Sequence, residues 1–542
     1  MKIATTKIYL WMTCSFLMML VILPARAQFQ VQGRYETPIT RDLVQEKFQV
    51  ISLKQKGLCF LAKTEKWSSP QVSWQITRLD TTFKEVWQTN YQLPLLYEPI
   101  DVYYDKQRYI YFLLTRYEKK LFRILKMDIT NGKIEKYDGK LPLRASITKL
   151  RATQNHAFLI GSFQYNITAL RYNMLDGTTK VVPSIYSKKF NQVDVFTKEN
   201  INTGFFLMAN DRLCEFKASA YSNIVGVQAS RTLEFPKRYN FHSATLYPLN
   251  ATESLVLGTY SRKCTAYPQG IASVVIKNGQ QSKIRLNKFI DYRNYFNYHS
   301  PKKVKRIREK ILKKAAKGKD YILGSKMALS DAIEMENSDN ILVVAERYWF
   351  RNKNAANTGS IGGPLRPLSQ YNSTYQFNSA SVSAFNRKGI KQWDNTIKMK
   401  HGVTSNEMKT QVRVGFQGDS VILAYMRQRR EGITPTLCTK FIYKHKTLKK
   451  ETEEEVTNLD VNDKIYSSNE QHFVHWYGDV FILWGEQTVV NRFAADHRTR
   501  REVAFINKLR FDRYKITEKE KKRMARKKKE SADNKERDEK KK

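Results

Sequence analysis

A short apolar segment recurs along this chain at nearly constant spacing, and this repeat constrains the fold more than any other feature. Eight strand-like segments start at Gly57, Arg108, His156, Thr203, Glu253, Asn340, Asp419 and Asp479. The first five starts are 51, 48, 47 and 50 residues apart, and the later spacings are 87, 79 and 60. A period of about 50 residues that contains several short strands is typical of β-propeller blades. The larger spacings indicate the same unit with insertions.

Each unit can be divided into four strands, a to d, as the second unit illustrates. We predict its strands at Pro99–Tyr104, Arg108–Thr115, Leu121–Asp128 and Lys133–Tyr137. Its third and fourth strands are joined by Thr130-Asn131-Gly132, and Asn-Gly favours a hairpin because both residues can adopt positive φ. Comparable turns occur at Asp176-Gly177, Asn278-Gly279 and Lys388-Gly389.

These patterns predict an all-β chain that forms one propeller of eight four-stranded blades. Seven blades are the alternative count, and two separate β domains are the alternative architecture. The eighth unit lacks an outer strand, which the residues near Gln32 to Thr37 could supply from the start of the chain. Such closure removes the sheet edges that an open array exposes. We place the propeller at residues 28–515, with insertions at 289–319 and 351–373.

Several predicted c–d hairpins share an acid or amide, a turn and an aromatic residue. They run from Leu79-Asp80 to Trp87, from Met127-Asp128 through Gly132 to Tyr137, and from Phe385-Asn386 through Gly389 to Trp393. This pattern resembles the repeats of quinoprotein-like propellers, although the glycine is replaced in the first hairpin and the aromatic residue is missing from several units. The chain is also similar to exported propeller proteins of Bacteroidota, in VVAERY at 343–348 and NRKGIKQW at 386–393. The resemblance implies an architecture and, by analogy, a role in an outer-membrane assembly, but no activity.

The two chain ends differ in composition from the repeats. Residues 1–27 combine an early lysine, an apolar run and small residues before a cleavage site, which predicts a signal peptide. An uncleaved anchor helix is the alternative. Residues 516–542 are almost all charged, which predicts a solvated tail. We therefore expect an exported protein that is periplasmic, associated with the outer membrane or extracellular.

Four cysteines follow the predicted signal peptide, at Cys59, Cys214, Cys264 and Cys438. In an oxidising compartment they could form one or two disulfides, and all four can be paired in three ways. They could equally be small buried side chains on strands. Because the sequence has no C-x-x-C pair and no cysteine with a nearby histidine, we expect no metal site and no cofactor.

Cations are predicted to cluster on one face of the propeller. The net charge is +43, from 94 Lys or Arg and 51 Asp or Glu. In a four-stranded meander the d–a and b–c connections share a face, so the insertions at 289–319 and 351–373 should emerge side by side. Residues 302–319 hold ten Lys or Arg and one acid, and their apolar residues have helical spacing. This predicts a short basic amphipathic helix after Pro301.

We predict a partner-binding surface on this insertion-bearing face. Its aromatic residues would be Tyr295, Phe296 and Tyr298. Its cations would be Lys305, Arg306, Arg308, Lys313 and Lys314 in the helix, and Arg427, Arg429, Arg430, Arg492, Arg498 and Arg500 in and beside the b–c loops. Clustered cations attract acidic partners, so we expect an envelope protein complex or an anionic glycan or lipid, while export argues against nucleic acid. Alternatively, the helix covers the propeller, lies at a membrane interface or docks into a partner's groove.

An enzymatic function has weaker support in the sequence. It contains no Walker loop, no G-x-S-x-G elbow and no H-E-x-x-H motif. Asp101, Asp194 and Asp331 lie in or beside the predicted inner strands and could converge on a central channel, as a glycoside hydrolase requires. We therefore expect a monomeric, non-enzymatic binding or scaffolding module of the cell envelope. The alternative is an envelope enzyme that acts on a polysaccharide.

Overall fold

The fold is given by a computed structural model of the 542-residue chain. The residues described are 29–39, 44–66, 71–94, 96–116, 120–142, 145–153, 155–164, 166–183, 185–198, 201–222, 226–236, 238–336, 338–352, 373–427, 434–443, 446–447, 451–456, 463–491 and 500–511. The predicted signal peptide, the charged tail and nearly all of the insertion at 351–373 lie outside these residues. The chain divides into two compact units, Val31–Lys508 and Met1–Gln30 with Leu509–Lys542. In the second unit, the rings of Phe29 and Phe511 pack edge to face at 5.9 Å.

Eight antiparallel sheets follow one another along the chain, and we number them as blades 1 to 8. The first strand of the chain is β1 (Phe29–Pro38). Blade 1 contains β2 (Val44–Ser52), β3 (Leu58–Lys66), β4 (Gln71–Leu79) and β5 (Glu85–Pro94). Blade 2 contains β6 (Glu98–Tyr104), β7 (Tyr109–Arg116), β8 (Leu121–Asp128) and β9 (Ile134–Lys140). Blade 3 contains β10 (Ser146–Ala152), β11 (His156–Phe163), β12 (Asn166–Asn173) and β13 (Thr179–Val181). Blade 4 contains β14 (Gln192–Phe196), β15 (Thr203–Asn210), β16 (Glu215–Ser222) and β17 (Gly226–Thr232).

Blades 5 to 7 each carry an additional short strand. Blade 5 contains β18 (Tyr239–Pro248), β19 (Glu253–Arg262), β20 (Gly270–Lys277), β21 (Gln280–Gln281) and β22 (Arg285–Lys288). Helix α1 (Pro301–Ala315) follows, and short 3-10 turns lie at Lys54–Lys56 and Phe289–Asp291. Blade 6 contains β23 (Lys326–Leu329), β24 (Ile333–Glu334), β25 (Ile341–Asn352), β26 (Ser373–Phe385) and β27 (Lys391–Ser405). Blade 7 contains β28 (Arg413–Gln417), β29 (Ser420–Arg427), β30 (Thr436–Tyr443), β31 (Lys446–Thr447) and β32 (Thr452–Glu455). Blade 8 contains β33 (Asp463–Tyr477), β34 (Val480–Asn491) and β35 (Arg500–Phe511), with β1 as its fourth strand.

The prediction of one eight-bladed propeller is confirmed, and the chain start completes the last blade. The strand order in blade 8 is β1-β35-β34-β33, so the N-terminal strand is its outer strand d. The Arg34 guanidinium holds this strand in place, because it donates to Asn507 at 3.0 Å and to Gln487 at 2.8 Å. The backbone N–H of Ile39 continues the pairing to the Glu502 carbonyl at 2.9 Å. The eighth blade therefore joins residues from both ends of the sequence.

The eight apolar segments found in the sequence are the second strands, b, of the eight blades. They read as continuous apolar runs because both faces of each strand are covered by neighbouring blades. Blades 1 and 2 meet around Trp74 and Phe112, whose rings lie 5.4 Å apart. Blades 3 and 4 meet in the same way around Phe158 and Phe206, also 5.4 Å apart. The core is thus a series of hydrophobic layers between successive sheets.

The c–d hairpin that resembles quinoprotein repeats connects blade 2 to blade 1. Trp87 on β5 donates its indole N–H to the carbonyl of Ile129 at 2.9 Å, and Ile129 lies in the c–d turn of blade 2. Gly132 in that turn has φ +73, and a Cβ there would lie 2.9 Å from the Trp87 ring. The glycine is therefore required both for the turn and for the close approach of the indole.

Candidate functional site

Helix α1 lies in the d–a connection between blades 5 and 6, and its predicted position after Pro301 is confirmed. Its side chains Val304, Ile307 and Ile311 pack on the hydrophobic cluster between blades 5 and 6. Ile307 is only 8% exposed, whereas Leu312 on the other side of the helix is 70% exposed. Of the roles considered for the helix, the structure therefore supports covering of the propeller with the apolar stripe.

The polar side of this segment is an array of cations. All ten Lys and Arg side chains of residues 302–319 are exposed. Within the described ranges, none of the ten forms an ion pair with an acid. Lys314 makes one weaker contact, since its ammonium lies 5.6 Å from the centre of the Tyr321 ring. Lys305, Arg306, Arg308, Lys313 and Lys314 are therefore presented to solvent.

The aromatic residues that precede the helix have a different role from the predicted one. Tyr295 is 2% exposed and Phe296 is 7% exposed, and Tyr295 stacks on Phe289 at 5.2 Å. Tyr298 lies beneath the Arg347 guanidinium, which is 3.9 Å from its ring centre. These rings fill the junction between blades 5 and 6 under the helix, so Tyr295 and Phe296 cannot contact a partner there. Because polar residues are interspersed among them, the sequence gave no signal of this burial.

The predicted cations of the b–c loops are only partly described. Arg429, Arg430, Arg492 and Arg498 lie outside the described residues. The Arg427 guanidinium is largely buried and lies 3.6 Å from a carboxylate oxygen of Glu453 on β32. Arg500 is exposed, with its guanidinium 3.8 Å from the centre of the Tyr466 ring. Of the two described loop cations, Arg500 is open to a partner, whereas the charge of Arg427 is neutralised within blade 7.

A disulfide lies on the same face. Cys214 and Cys264 are bonded, with Cα atoms 5.6 Å apart, and they connect the b–c turns of blades 4 and 5. Cys59 and Cys438 are free and buried, and burial raises the pKa of each thiol to about 12. The four cysteines thus comprise one disulfide and two small core residues, a combination of the two options that the sequence left open.

A cavity of about 760 Å³ lies between the inner strands of blades 3 to 6. Its lining includes Gln192–Asp194, His242–Ala244 and Met327–Leu329 near the starts of inner strands β14, β18 and β23. Asn191 and Met408, from d–a connections, also line it, which places the cavity toward the insertion-bearing face. Sequence reasoning missed this cavity because its walls come from strands far apart in the chain.

The three acids considered for a catalytic channel do not form one site. Asp194 lines the cavity, but its carboxylate accepts from the Lys149 ammonium and from the backbone N–H of Val195. Asp101 accepts from the backbone N–H of Leu150 in the next blade at 2.8 Å. Asp331 is exposed and is not part of the cavity lining. Asp101 and Asp194 therefore participate in hydrogen bonds and ion pairs of the inner strands.

Neither a metal site nor a membrane-spanning helix is found in the part of the chain that the structure describes. There, no group of three or more His, Cys, Asp and Glu side chains is arranged to hold a metal ion. Likewise, none of the described helices has the length and apolar character needed to cross a membrane.

No protein-family model and no curated protein sequence matches the chain. Among solved structures, the chain is similar to the β-propeller domain of the trilobed protease from Pyrococcus furiosus, at 8% identity and a TM-score of 0.32, over 73% of this chain and 93% of that chain. A functionally unknown protein from Desulfotomaculum acetoxidans has 8% identity and a TM-score of 0.33, over 67% of this chain and 89% of its own. A mutant of the Synechocystis apocarotenoid oxygenase has 8% identity and a TM-score of 0.28, over 46% of this chain and 66% of its own, less than two thirds of its length. These likenesses carry no functional argument, and the blade count rests on the sheets described above.

Proposed function

We propose that this chain is an exported, non-enzymatic binding module of the cell envelope that captures an acidic partner on its insertion-bearing face. One observation carries the proposal. Helix α1 and the residues after it present ten exposed cations with no ion pair to an acid in the described ranges. The buried stripe around Ile307 holds the helix against blades 5 and 6, so these cations form a fixed array. A fixed array of one charge is an electrostatic binding site for the opposite charge.

The arrangement of the cations disfavours a purely structural role for the polar side of the helix. Lys302, Arg306, Lys310 and Lys314 are successive residues at i, i+4 spacing, and like charges at this spacing repel. Each pair costs about 0.2–0.5 kcal/mol in an isolated helix. An acidic partner would remove this repulsion, whereas the packing of the apolar stripe requires no such charge.

Export is part of the same proposal, and two observations support it. The first 27 residues have the composition of a signal peptide. The Cys214–Cys264 disulfide suits an oxidising compartment, such as the periplasm or the extracellular space. In such a compartment, acidic proteins and anionic glycans or lipids are the available partners for a basic surface.

The alternative, an enzyme that acts on an envelope polysaccharide, has less support from the described acids. A glycoside hydrolase uses a pair of carboxyl groups on either side of the scissile bond. Asp194 is neutralised by Lys149, and Asp101 is bonded to the backbone of the next blade. Neither carboxylate is therefore available as a general acid or a nucleophile without breaking a contact between inner strands.

The proposal is tested by affinity capture from the envelope of the protein's own cell. The test variant combines K305Q, R306Q, K313Q and K314Q on the insertion-bearing face. A matched control combines K84Q, K133Q, K283Q and K388Q, which removes the same charge from exposed residues in the c–d turns of blades 1, 2 and 6 and between β21 and β22 of blade 5. We expect the test variant to lose capture and the control to retain it, with the wild-type interaction weakened by high salt. Equal capture by the two variants would contradict the proposal.

A further inference from the structure

The cavity between blades 3 and 6 contains polar groups that are not used within the protein. The residues that line it include Ser162, Gln192, His242 and Tyr348. In the described part of the chain, the polar side-chain atoms of these four residues have no hydrogen-bond partner. Their hydroxyl, amide and imidazole groups can both donate and accept hydrogen bonds. A ligand that fills the cavity therefore needs several hydroxyl or carbonyl groups of its own.

One cation beside the cavity is not paired with an acid in the described ranges and can receive the anionic group of a ligand. The carboxylate of Asp194 is neutralised by Lys149, whereas that of Asp211 accepts from the side-chain amide of Asn191 and keeps its negative charge. Lys326 begins β23 beside the cavity and is half-buried, with no ion pair to an acid in the described ranges. Burial, and next the charge of Lys326, lower the pKa of His242, so its imidazole is neutral at pH 7. Lys326 is the cross-strand partner of Tyr348, which lines the cavity, so its ammonium lies on the same side of the blade 6 sheet as that ring.

Two polar contacts connect inner strands of non-adjacent blades at the opposite end from the insertion-bearing face. The Tyr103 hydroxyl lies 2.9 Å from that of Thr197, which connects blade 2 to blade 4. The Lys198 ammonium lies 3.7 Å from a Glu334 carboxylate oxygen, which connects blade 4 to blade 6. Both contacts pass over an intervening blade and lie at the a–b end of the strands. Because Asn191 and Met408 of the d–a connections line the cavity, a ligand would reach it from the insertion-bearing face.

We propose that this cavity binds the terminal residue of an anionic glycan, with the sugar ring against Tyr348 and its anionic group near Lys326. This inference rests on the proposed function, because it specifies the acidic partner as a glycan chain whose remaining charges lie along helix α1. The volume of about 760 Å³ is within the usual range for small-molecule sites. A sugar offers hydroxyl groups to the unpaired polar atoms and an apolar ring face to the aromatic side chain. A purely apolar ligand would leave those polar atoms unpaired and is disfavoured.

The test uses the full chain and short defined probes in isothermal titration. The probes are trigalacturonic acid, sialyllactose, a phosphorylated mannose and a heparin tetrasaccharide, each with an uncharged counterpart. The variants are K326M, which removes the cation, H242L, which removes the imidazole, and H242Q, which restores a hydrogen-bonding side chain. The four-site helix variant described above is measured with the same probes. Melting temperatures within a few degrees of wild type show that the variants fold.

We expect at least one anionic probe to bind the wild-type protein more tightly than its uncharged counterpart. K326M and H242L should each weaken that binding about tenfold, and H242Q should recover most of the loss. The helix variant should retain the short probes, because they occupy only the cavity. If no probe binds, or if K326M and H242L bind as tightly as wild type, the glycan site is overturned. The envelope capture then still decides, on its own, whether the basic face binds another acidic partner.

Discussion

The indole N–H of Trp476 donates a hydrogen bond to the carbonyl of Gly57 at 2.9 Å, across 419 residues of sequence. Trp476 lies at the end of β33, the inner strand of blade 8, and Gly57 lies just before β3 of blade 1. The ring of Phe83 from blade 1 stacks on the same indole at 5.8 Å. The last blade is therefore connected to the first by side chains as well as by the shared N-terminal strand.

Loss of this hydrogen bond should weaken the closure of the propeller. Trp476→Phe keeps an aromatic ring but removes the donor and leaves unfilled volume in a fully buried position. We expect the free energy of unfolding to fall by about 1–3 kcal/mol. The control is Trp87→Phe, which removes a bond of the same length between blades 1 and 2 but lies at a partly exposed site. Urea unfolding measures both variants, and an equal or smaller loss for Trp476→Phe would contradict a special role in closure.

The disulfide between the b–c turns of blades 4 and 5 should contribute to stability. It encloses a segment with a sequence separation of 50 residues, and such a crosslink typically contributes about 2–4 kcal/mol. We expect a reductant to lower the melting temperature of the wild-type protein. The double variant Cys214→Ser and Cys264→Ser should melt at that lower temperature with or without reductant. A melting temperature of the wild type that does not change on reduction would contradict this expectation.

The stability of the junction between blades 6 and 7 should depend on pH through Glu346. This fully buried carboxylate accepts from the backbone N–H groups of Gln411 at 2.9 Å and Val412 at 2.8 Å. Burial raises the pKa of Glu346 from 4.5 to about 7, although the two N–H groups and Arg413 oppose the shift. The pKa of Glu346 is higher in the folded protein than in the unfolded chain. Its contribution to the free energy of unfolding is therefore complete below pH 4.5 and is lost as the pH rises through 7.

The corresponding experiment compares wild type with Glu346→Gln by urea unfolding at pH 4.5 and pH 8. The amide side chain of the variant does not titrate, so the stability of wild type relative to the variant should be greater at the lower pH, by about 3 kcal/mol. The variant also loses one acceptor for the backbone, which lowers its stability at both pH values alike. A difference between the two proteins that stays constant with pH would show that Glu346 does not titrate in this range.

The blade architecture was predictable because it depends on sequence patterns within each repeat. The continuous apolar b strands, such as Tyr109–Arg116, result from sheets with two covered faces, and turns such as Asn278-Gly279 require positive φ. The outer strand of blade 8 was also predictable. The last repeat lacks an outer strand, and one strand at the start of the chain belongs to no other repeat, so the two can be matched. These features depend on residues close in sequence or on the count of repeats.

The binding surface was less predictable because exposure depends on contacts between distant residues. In the sequence Tyr295 and Phe296 resemble an exposed aromatic patch, yet both are buried under helix α1. Arg427 is paired with Glu453, which reaches it only because β32 adds to the sheet of blade 7. The pairing of Cys214 with Cys264 likewise depends on which b–c turns are adjacent. In each instance the deciding partner is contributed by the tertiary fold.

The anchoring of helix α1 can be separated experimentally from its charge. Ile307→Asp places a carboxylate in the hydrophobic cluster between blades 5 and 6, and an unpaired buried charge costs several kcal/mol or forces the helix to detach. We expect trypsin to cleave within residues 302–319 much faster than in wild type, and partner capture to fall about tenfold although every cation is retained. The control Leu312→Asp makes the same change in charge at an exposed site of the same helix. It should therefore alter neither the rate of trypsin cleavage nor the packing of the helix on the propeller. If both variants lost capture equally, net charge rather than the fixed position of the cations would determine binding.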